Sequence, residues 1–171
     1  VEIDVSKNPN FVYVDGVLMN RDIIQIFIGV FFKICECSIP NSVTAICACA
    51  FHRFGILSSF KIPNSVEEIR DGVFFGCRMV TSITIPGSVQ TFGANPFAQC
   101  WSLSETRVVG ETPNFKVVDV ILFDKETKRL IWCSIGKDGG YEIPNAIKVI
   151  DACTFGANKR LTSITIHDCV A

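Results

Sequence analysis

Nine cysteines and two histidines are the side chains of this 171-residue chain that could bind a metal or act as nucleophiles. Cys35-x-Cys37 and Cys47-x-Cys49 together would supply four thiolates for a tetrahedral zinc ion. Zinc ligands are usually spaced more widely than Cys-x-Cys, and strand alternation would turn both members of a pair to one face. We therefore interpret these cysteines as small apolar packing residues and predict neither a metal nor another cofactor.

A disulfide is the second chemistry open to the cysteines. Their odd number excludes a closed set of bridges within the chain. Cys77 and Cys100 lie 100 − 77 = 23 positions apart, and a bond between them is possible if they occupy two stacked coils. We favour free thiols because these positions are apolar. A redox- or metal-responsive cysteine module stays as one alternative function.

Catalysis by a cysteine or serine needs a nearby base, and the only histidines of the sequence are His52 and His167. We place His52 on the surface and His167 in a turn, where neither pairs with a nucleophile. The acidic residues Asp119, Asp124 and Glu126 fall in a polar hairpin and turn, where solvated side chains are the usual interpretation. Since no set of residues meets the geometric requirements of an active site, we predict that the chain is not an enzyme.

The overall composition narrows the class of protein further. With 49% hydrophobic and 19% charged residues, the chain should fold into one globular domain. A net charge of -1 offers no field that would attract nucleic acid. The longest apolar run, 26–32, is much shorter than the ~20 residues of a membrane helix and is rich in β-branched and aromatic residues. We interpret it as a buried strand and expect no membrane insertion.

The elements that would position these residues follow from an internal repeat. Three segments that read Ile-Pro-Asn/Gly-Ser-Val place their prolines at Pro40, Pro63 and Pro86, and 63 − 40 = 86 − 63 = 23. A fourth copy contains Pro144. Other apolar positions keep this period and form three columns: Ile46, Ile69, Phe92 and Ile150; Phe51, Phe74, Phe97 and Phe155; Leu57, Val80, Leu103 and Leu161. A unit of 23 residues cannot bury its own apolar face, so the units must stack as a solenoid.

A longer repeat contains the shorter one. The last two prolines are 144 − 86 = 58 residues apart, which is one 23-residue unit plus 35 extra residues. Segment 112–122 resembles segment 8–18, and 113 − 9 = 144 − 40 = 104, so the chain has a 104-residue super-repeat. We predict that the extra residues form β-hairpins, and the clearer of the two has its strands at 115–123 and 130–135 around a polar turn.

Each 23-residue unit has a predictable local structure. Residues 81–85 alternate as a half-buried strand, with Ile83 and Ile85 pointing inward. Pro86 ends this strand because it has no N–H to give the ladder. We predict one helical turn at 97–100 and one parallel sheet, built from the strands of successive units, along one side of the coil.

The pattern of the unit, seen in 80–100 and again in 161–166, resembles the BspA-like leucine-rich repeat of bacterial and protist surface proteins. The Val-Asp-Gly-Val-Leu segment at 14–18 resembles a spacer module of the same family. The resemblance implies a right-handed solenoid that is secreted or held at the cell surface. It also implies adhesion to a protein or matrix ligand of a host or microbial surface, with a part in host interaction and virulence, and it carries no shared active site.

We accordingly predict a single β-rich α/β solenoid over residues 1–171. Its parts are a hairpin insert at 1–34, three leucine-rich repeat units at 35–103, a strand with a hairpin insert at 104–138, and further units at 139–171. His167 stands where the next repeat proline is expected, since 144 + 23 = 167. The last unit stops at Ala171 before it is complete, so we expect the natural protein to continue.

If the solenoid binds a partner, the outward positions of its strands offer a regular polar surface. From the column register these positions are Glu36, Ser38, Ser59, Lys61, Ser82, Thr84, Glu105, Arg107, Glu142, Ser163 and Thr165. Arg107 is the best single anchor, because arginine is enriched at binding hot spots. A structural spacer rod that displays other domains is the second alternative function.

Overall fold

The computed structural model describes residues 4–14, 17–20, 25–29, 39–55, 58–156 and 158–170. Within these ranges the regular elements are all β-strands, and no helix occurs. In chain order the strands are β1 Phe11–Val14, β2 Val17–Asn20, β3 Gln25–Gly29, β4 Ala45–Ile46, β5 Ser59–Lys61, β6 Glu68–Ile69, β7 Ser82–Pro86, β8 Thr91–Phe92, β9 Glu105–Val109, β10 Phe115–Val118, β11 Ile121–Asp124, β12 Arg129–Cys133, β13 Gly139–Glu142, β14 Val149–Ile150 and β15 Leu161–Thr165. The chain folds as a β-solenoid whose coils are set by the 23-residue period.

Strands one period apart pair in parallel, so equivalent residues of successive coils lie directly above one another. On one side of the coil β5, β7 and β9 form a three-stranded sheet, with Ser59 opposite Ser82 and Ser82 opposite Glu105. On another side the short strands β4, β6 and β8 pair in the same way, which places Ile46 beside Ile69. The predicted stacking of 23-residue units is confirmed.

The third side of the coil is a ladder of stacked turns. The backbone N–H of Phe51 donates to the carbonyl of Val73 at 3.0 Å, and that of Phe74 donates to the carbonyl of Pro96 at 2.9 Å. The predicted helical turn at 97–100 is wrong, because the backbone there forms separate turns, in which the N–H groups of Ala98 and Cys100 donate to the carbonyls of Asn95 and Phe97. The α/β character of the sequence-based prediction is therefore not observed in the described residues.

A column of stacked rings fills the core of the first coils. The ring centroids of Phe51 and Phe74 are 5.7 Å apart with an interplanar angle of 7°, and those of Phe74 and Phe97 are 5.7 Å apart at 14°. Trp132 meets the last ring edge-on at 6.3 Å. Phe155 packs in a second, smaller apolar cluster, so the predicted four-ring column is interrupted by a tryptophan from the extra residues.

The extra residues form antiparallel strands that belong to the solenoid's own sheets. β10 pairs with β11 and β11 with β12, and β12 then pairs in parallel with β14 of the following coil. The first copy has the same order, β1 to β2 to β3 to β4. The inserted-hairpin prediction is not supported: the strand predicted at 115–123 is two strands, β10 and β11, and each segment merges into the coil through its last strand.

The 104-residue super-repeat is kept in the strand boundaries. The starts of the four paired strands differ by 115 − 11 = 121 − 17 = 129 − 25 = 149 − 45 = 104. Both copies also share a register shift at equivalent places, Leu18/Met19 and Leu122/Phe123. The sequence repeat therefore specifies the pairing partners of eight strands.

The sheet on the strand side of the solenoid is divided. β5, β7 and β9 form one sheet, whereas β13 and β15 form a separate two-stranded sheet. The prediction of one parallel sheet along this side is wrong, because β10 to β12 follow β9 in the chain and pair with one another and with β14 instead. The break creates a junction between the antiparallel segment and the coil that begins at β13.

Of the apolar run predicted as a buried strand at 26–32, the residues up to 29 belong to β3. The rest of that run, together with Glu36, Ser38 and Leu57, lies outside the described residues. In the described part of the chain, no helix has the length and apolar character required to cross a membrane.

Candidate functional site

Two straight rows of side chains cross the three-stranded sheet of β5, β7 and β9. The first row contains Ser59, Ser82 and Glu105, and the second contains Lys61, Thr84 and Arg107. The register places each member directly opposite the next. The serine and threonine of β7 are half-buried, and the four outer residues are exposed. Sequence reasoning placed these six residues on one face, and the structure brings them together.

The best anchor candidate, Arg107, is engaged within its own strand. Its Nε donates to Oε1 of Glu105 at 2.6 Å, and its Nη2 lies 2.5 Å from the same oxygen. The Arg107 side chain is 67% exposed, so solvent screens this pair and its contribution to stability is small. A partner that uses the guanidinium would have to compete with Glu105.

The remaining predicted residues lie on the separate sheet of β13 and β15. Gly140 is opposite Ser163 and Glu142 is opposite Thr165, and the three polar side chains are exposed. Glu142 also pairs with His167, whose Nε2 lies 3.2 Å from Oε1. These residues form a second patch beyond the break in the sheet.

Seven of the nine cysteines lie in the described residues, and all seven are unbonded. Cys77 donates its thiol hydrogen to the carbonyl of Phe51, and Cys100 donates to that of Phe74, both at 3.0 Å. A hydrogen bond with Cys77 and burial raise the pKa of the Cys100 thiol far above its usual value. Burial likewise raises the pKa of Cys133 to about 11. These thiols act as buried packing groups that also satisfy backbone carbonyls.

The alternative zinc site cannot be described completely, because Cys35 and Cys37 lie outside the described residues. Among the described side chains, no three histidine, cysteine or acidic residues converge as metal ligands would. Cys47 is buried next to Arg70, whose Nη1 lies 3.5 Å from the sulfur, and Cys49 is exposed. The two members of this pair therefore differ in surroundings.

The residues considered for catalysis lie in separate environments. His52 is half-buried, not on the open surface, and its ring stacks on Phe75 with centroids 5.0 Å apart. Asp119 pairs with Lys137, and Asp124 accepts the backbone N–H of Glu126 at 2.9 Å. Each of these three side chains therefore has a structural contact of its own.

Sequence reasoning missed a buried ion pair between Arg129 and Asp151. The two side chains are 17% and 6% exposed, and Arg129 Nε lies 3.4 Å from Oδ1 of Asp151. The guanidinium also donates to the carbonyl of Phe92 at 2.7 Å, and Asp151 accepts the N–H of Asn95 at 3.3 Å. Arg129, on β12, thereby joins the coil that contains β8 to the coil that contains β14. The two residues of the pair are 22 positions apart, outside the 23-residue period, so the columns gave no signal for it.

Sequence reasoning also missed a pocket beside the break in the sheet. The cavity is about 290 Å³ and lies between the β10–β11 turn region and the coil that contains β13. Phe123, Tyr141 and Ile147 form its apolar wall, and Lys116 stands at its rim. The polar turn at 124–128 contributes to the lining, but a polar turn in a sequence gives no indication of a pocket.

Stacked parallel strands at a 23-residue period, with apolar residues at fixed columns, define a leucine-rich repeat solenoid. Residues 24–124 match the model of the BspA type leucine rich repeat region, in six copies. This match covers more than half of the chain, and the chain belongs to that family. The search of curated proteins found no match to this chain.

Solved structures give the same fold. A leucine-rich repeat protein from Eubacterium ventriosum aligns with a TM-score of 0.62 and 20% identity over 94% of this chain and 41% of its own. A leucine rich cell surface protein from Faecalibacterium prausnitzii aligns with a TM-score of 0.68 and 24% identity, over 77% of this chain and 41% of its own. The pneumococcal vaccine antigen PcpA aligns with a TM-score of 0.60 and 19% identity, over 95% of this chain and 54% of its own. The chain therefore spans about half or less of the length of these proteins.

Proposed function

We propose that this chain is a non-enzymatic protein-binding module of a cell-surface or secreted protein, and that it holds a protein or matrix ligand in adhesion. The single observation that carries this function is the pair of aligned rows on β5, β7 and β9, which present six polar side chains on a rigid face. Membership of the BspA-type family supports the same function, since the solved relatives include a cell surface protein and a vaccine antigen.

The chemistry of the rows sets the kind of contact. The two rows combine three hydroxyl groups with the charged side chains of Lys61, Glu105 and Arg107. A partner would therefore form hydrogen bonds spread over a broad patch. Because the backbone of each strand is fixed by ladder bonds on both sides of β7, little conformational entropy is lost in binding. This favours a flat, polar interface.

Binding of the purified chain to immobilised fibronectin, laminin and collagen tests this proposal. A variant with Lys61→Glu and Arg107→Glu reverses two charges within the second row and should lose at least 10-fold in affinity for any ligand found. The matched control carries the same charge change at Lys148 and Lys159, which are exposed and lie outside both rows. An equal loss of affinity in the two variants, or no binding by the wild-type chain, would count against the sheet face as the binding site.

A spacer rod is the second candidate, and the parallel stacking of the coils that contain β5, β7 and β9 favours it. The pairing of Arg107 with Glu105 also occupies the strongest anchor of the face. If the chain is a spacer, the double charge reversal leaves the adhesion of the parent protein intact. If the face binds the partner, that adhesion is lost.

A further inference from the structure

The pocket beside the sheet break combines an apolar interior with a cationic rim. Phe123 and Ile147 are almost fully buried and Tyr141 is half-buried, so the wall is preformed by the core. Three lysines, Lys116, Lys125 and Lys128, also line it. Burial raises the pKa of Tyr141 to about 12, so its hydroxyl is neutral at physiological pH.

The three ammonium groups have no acidic partner among the described residues. Nζ of Lys125 donates to the carbonyl of Thr112 at 2.7 Å, and Nζ of Lys128 donates to the carbonyl of Lys125. These bonds fix the two side chains but leave their charges uncompensated. Lys116 lies over the ring of Phe123, with its Nζ 5.8 Å from the centroid.

Two carboxylates also line the pocket, and both are already engaged. Asp119 pairs with Lys137, which stands outside the lining. Asp124 accepts the backbone N–H groups of Glu126 and Thr127, each at 2.9 Å, and so closes the β11–β12 turn. Because Lys137 offsets Asp119, three lysines stand against one remaining carboxylate, and the lining keeps a net positive charge.

The strand pairing of this segment does not require Lys116 or Lys128. In the first copy the positions equivalent to Lys116 and Lys128 hold valine and isoleucine, since 116 − 104 = 12 and 128 − 104 = 24, and the position equivalent to Lys125 holds arginine, since 125 − 104 = 21. The strand boundaries of both copies nevertheless agree over the four paired strands. Lys116 and Lys128 therefore serve something other than the pairing of strands, whereas a basic residue at the position of Lys125 is common to both copies.

We propose that this pocket is a second binding site, which takes one apolar or aromatic side chain from an acidic segment of a partner protein. Its volume of about 290 Å³ lies at the lower limit of small-molecule pockets, ~300–1,000 Å³, and suits a single side chain. Acidic residues on either side of that side chain meet the lysines at the rim. The site is independent of the rows on β5, β7 and β9 and goes beyond the function proposed for them.

Fluorescence anisotropy with a capped, fluorescein-labelled Asp-Glu-Phe-Asp-Glu peptide tests the proposal. The peptide should bind at least 10-fold more tightly than Asn-Gln-Phe-Asn-Gln and than Asp-Glu-Ala-Asp-Glu, because the first lacks the charge and the second lacks the ring. Its affinity should fall as salt is raised from 50 to 300 mM, since screening weakens exposed charge pairs. Equal binding of the three peptides would overturn the proposal.

Variants place the site on the molecule. Ala146→Trp fills the pocket from an exposed lining position and should abolish binding, whereas Ser42→Trp, the equivalent exposed position of the first copy, should leave it unchanged. Lys116→Gln should weaken binding about 3- to 10-fold, and Lys61→Gln on the sheet face should not. Unchanged binding by Ala146→Trp would refute the site. Loss of peptide binding in the double variant of the sheet face would refute its independence.

Discussion

The rings of Phe74 and Phe97 lie almost parallel, 14° apart, with their centroids 5.7 Å from each other. Phe51 stacks on the other face of Phe74 at the same distance, and Phe60 approaches its edge at 4.8 Å. Phe74 therefore has aromatic neighbours above, below and at its side. It is the central packing residue of the coils.

Phe74→Ala should reduce the free energy of unfolding by ~3–5 kcal/mol, because it leaves a cavity between two coils that cannot collapse independently. Urea unfolding followed by circular dichroism measures this change. Phe75→Ala is the matched control, since Phe75 is half-buried next to it and stacks on His52 at the periphery of the coil. Similar losses for the two variants would show that the aromatic column is not what stabilises the coils.

Val120→Gly should stabilise the protein by roughly 0.5–1 kcal/mol. Asp119 and Val120 join β10 to β11 with φ angles of 50° and 61°, as in a type I′ turn, and a β-branched residue is strained there. The first copy has Asp15-Gly16 at these positions. Thermal unfolding of Val120→Gly and of Val118→Gly, a strand control that should destabilise, measures the effect. A lower melting temperature for Val120→Gly would contradict a strained turn.

Thiol reactivity should separate the cysteines into two groups. Exposed Cys49 and Cys153 should be alkylated by iodoacetamide within minutes at pH 8, whereas buried Cys77, Cys100 and Cys133 should react after unfolding. Since burial raises the pKa of Cys133 to about 11, its thiol should stay protonated when the pH is changed from 7 to 9. Peptide mass mapping identifies each site. Rapid labelling of Cys77 or Cys100 in the folded protein would contradict their packing role.

Asp151 should make the stability of the protein depend on pH. Burial raises the pKa of this carboxyl above 3.8, although Arg129 opposes the shift, so the folded state binds the proton more tightly than the unfolded state. The stability that this proton contributes is fully present below pH 3.8, the usual pKa of the carboxyl, and is lost as the pH rises through the raised pKa of the folded state. The wild type should therefore lose stability relative to Asp151→Asn between pH 3.5 and pH 7.

Urea unfolding at several pH values measures that difference. Asp138→Asn is a suitable control, because it removes a carboxylate that pairs with Arg160 on the exposed surface. The stability difference between wild type and Asp151→Asn should change with pH by more than the difference for the control. A gain in stability of the wild type relative to Asp151→Asn as the pH rises would mean that attraction to Arg129 outweighs burial.

The sequence by itself determined the units of this protein and their register. Residues that recur every 23 positions meet on successive coils because each coil repeats the same path, so the rows through Ser82 and Thr84 could be predicted from spacing. The 104-residue super-repeat likewise indicated that the two antiparallel segments are equivalent, although the single strand predicted at 115–123 is the two strands β10 and β11. The super-repeat also indicates the strained turn at Val120, because the first copy has a glycine at the equivalent position.

The tertiary structure decided what happens where the period is interrupted. Spacing cannot indicate how 35 extra residues pack, and it therefore gave neither the separation of β9 from β13 nor the insertion of Trp132 beneath Phe97. The pocket and the Arg129–Asp151 pair arise at that same junction. A repeat determines contacts between like residues, whereas contacts between unlike residues depend on how a particular segment folds against its neighbours.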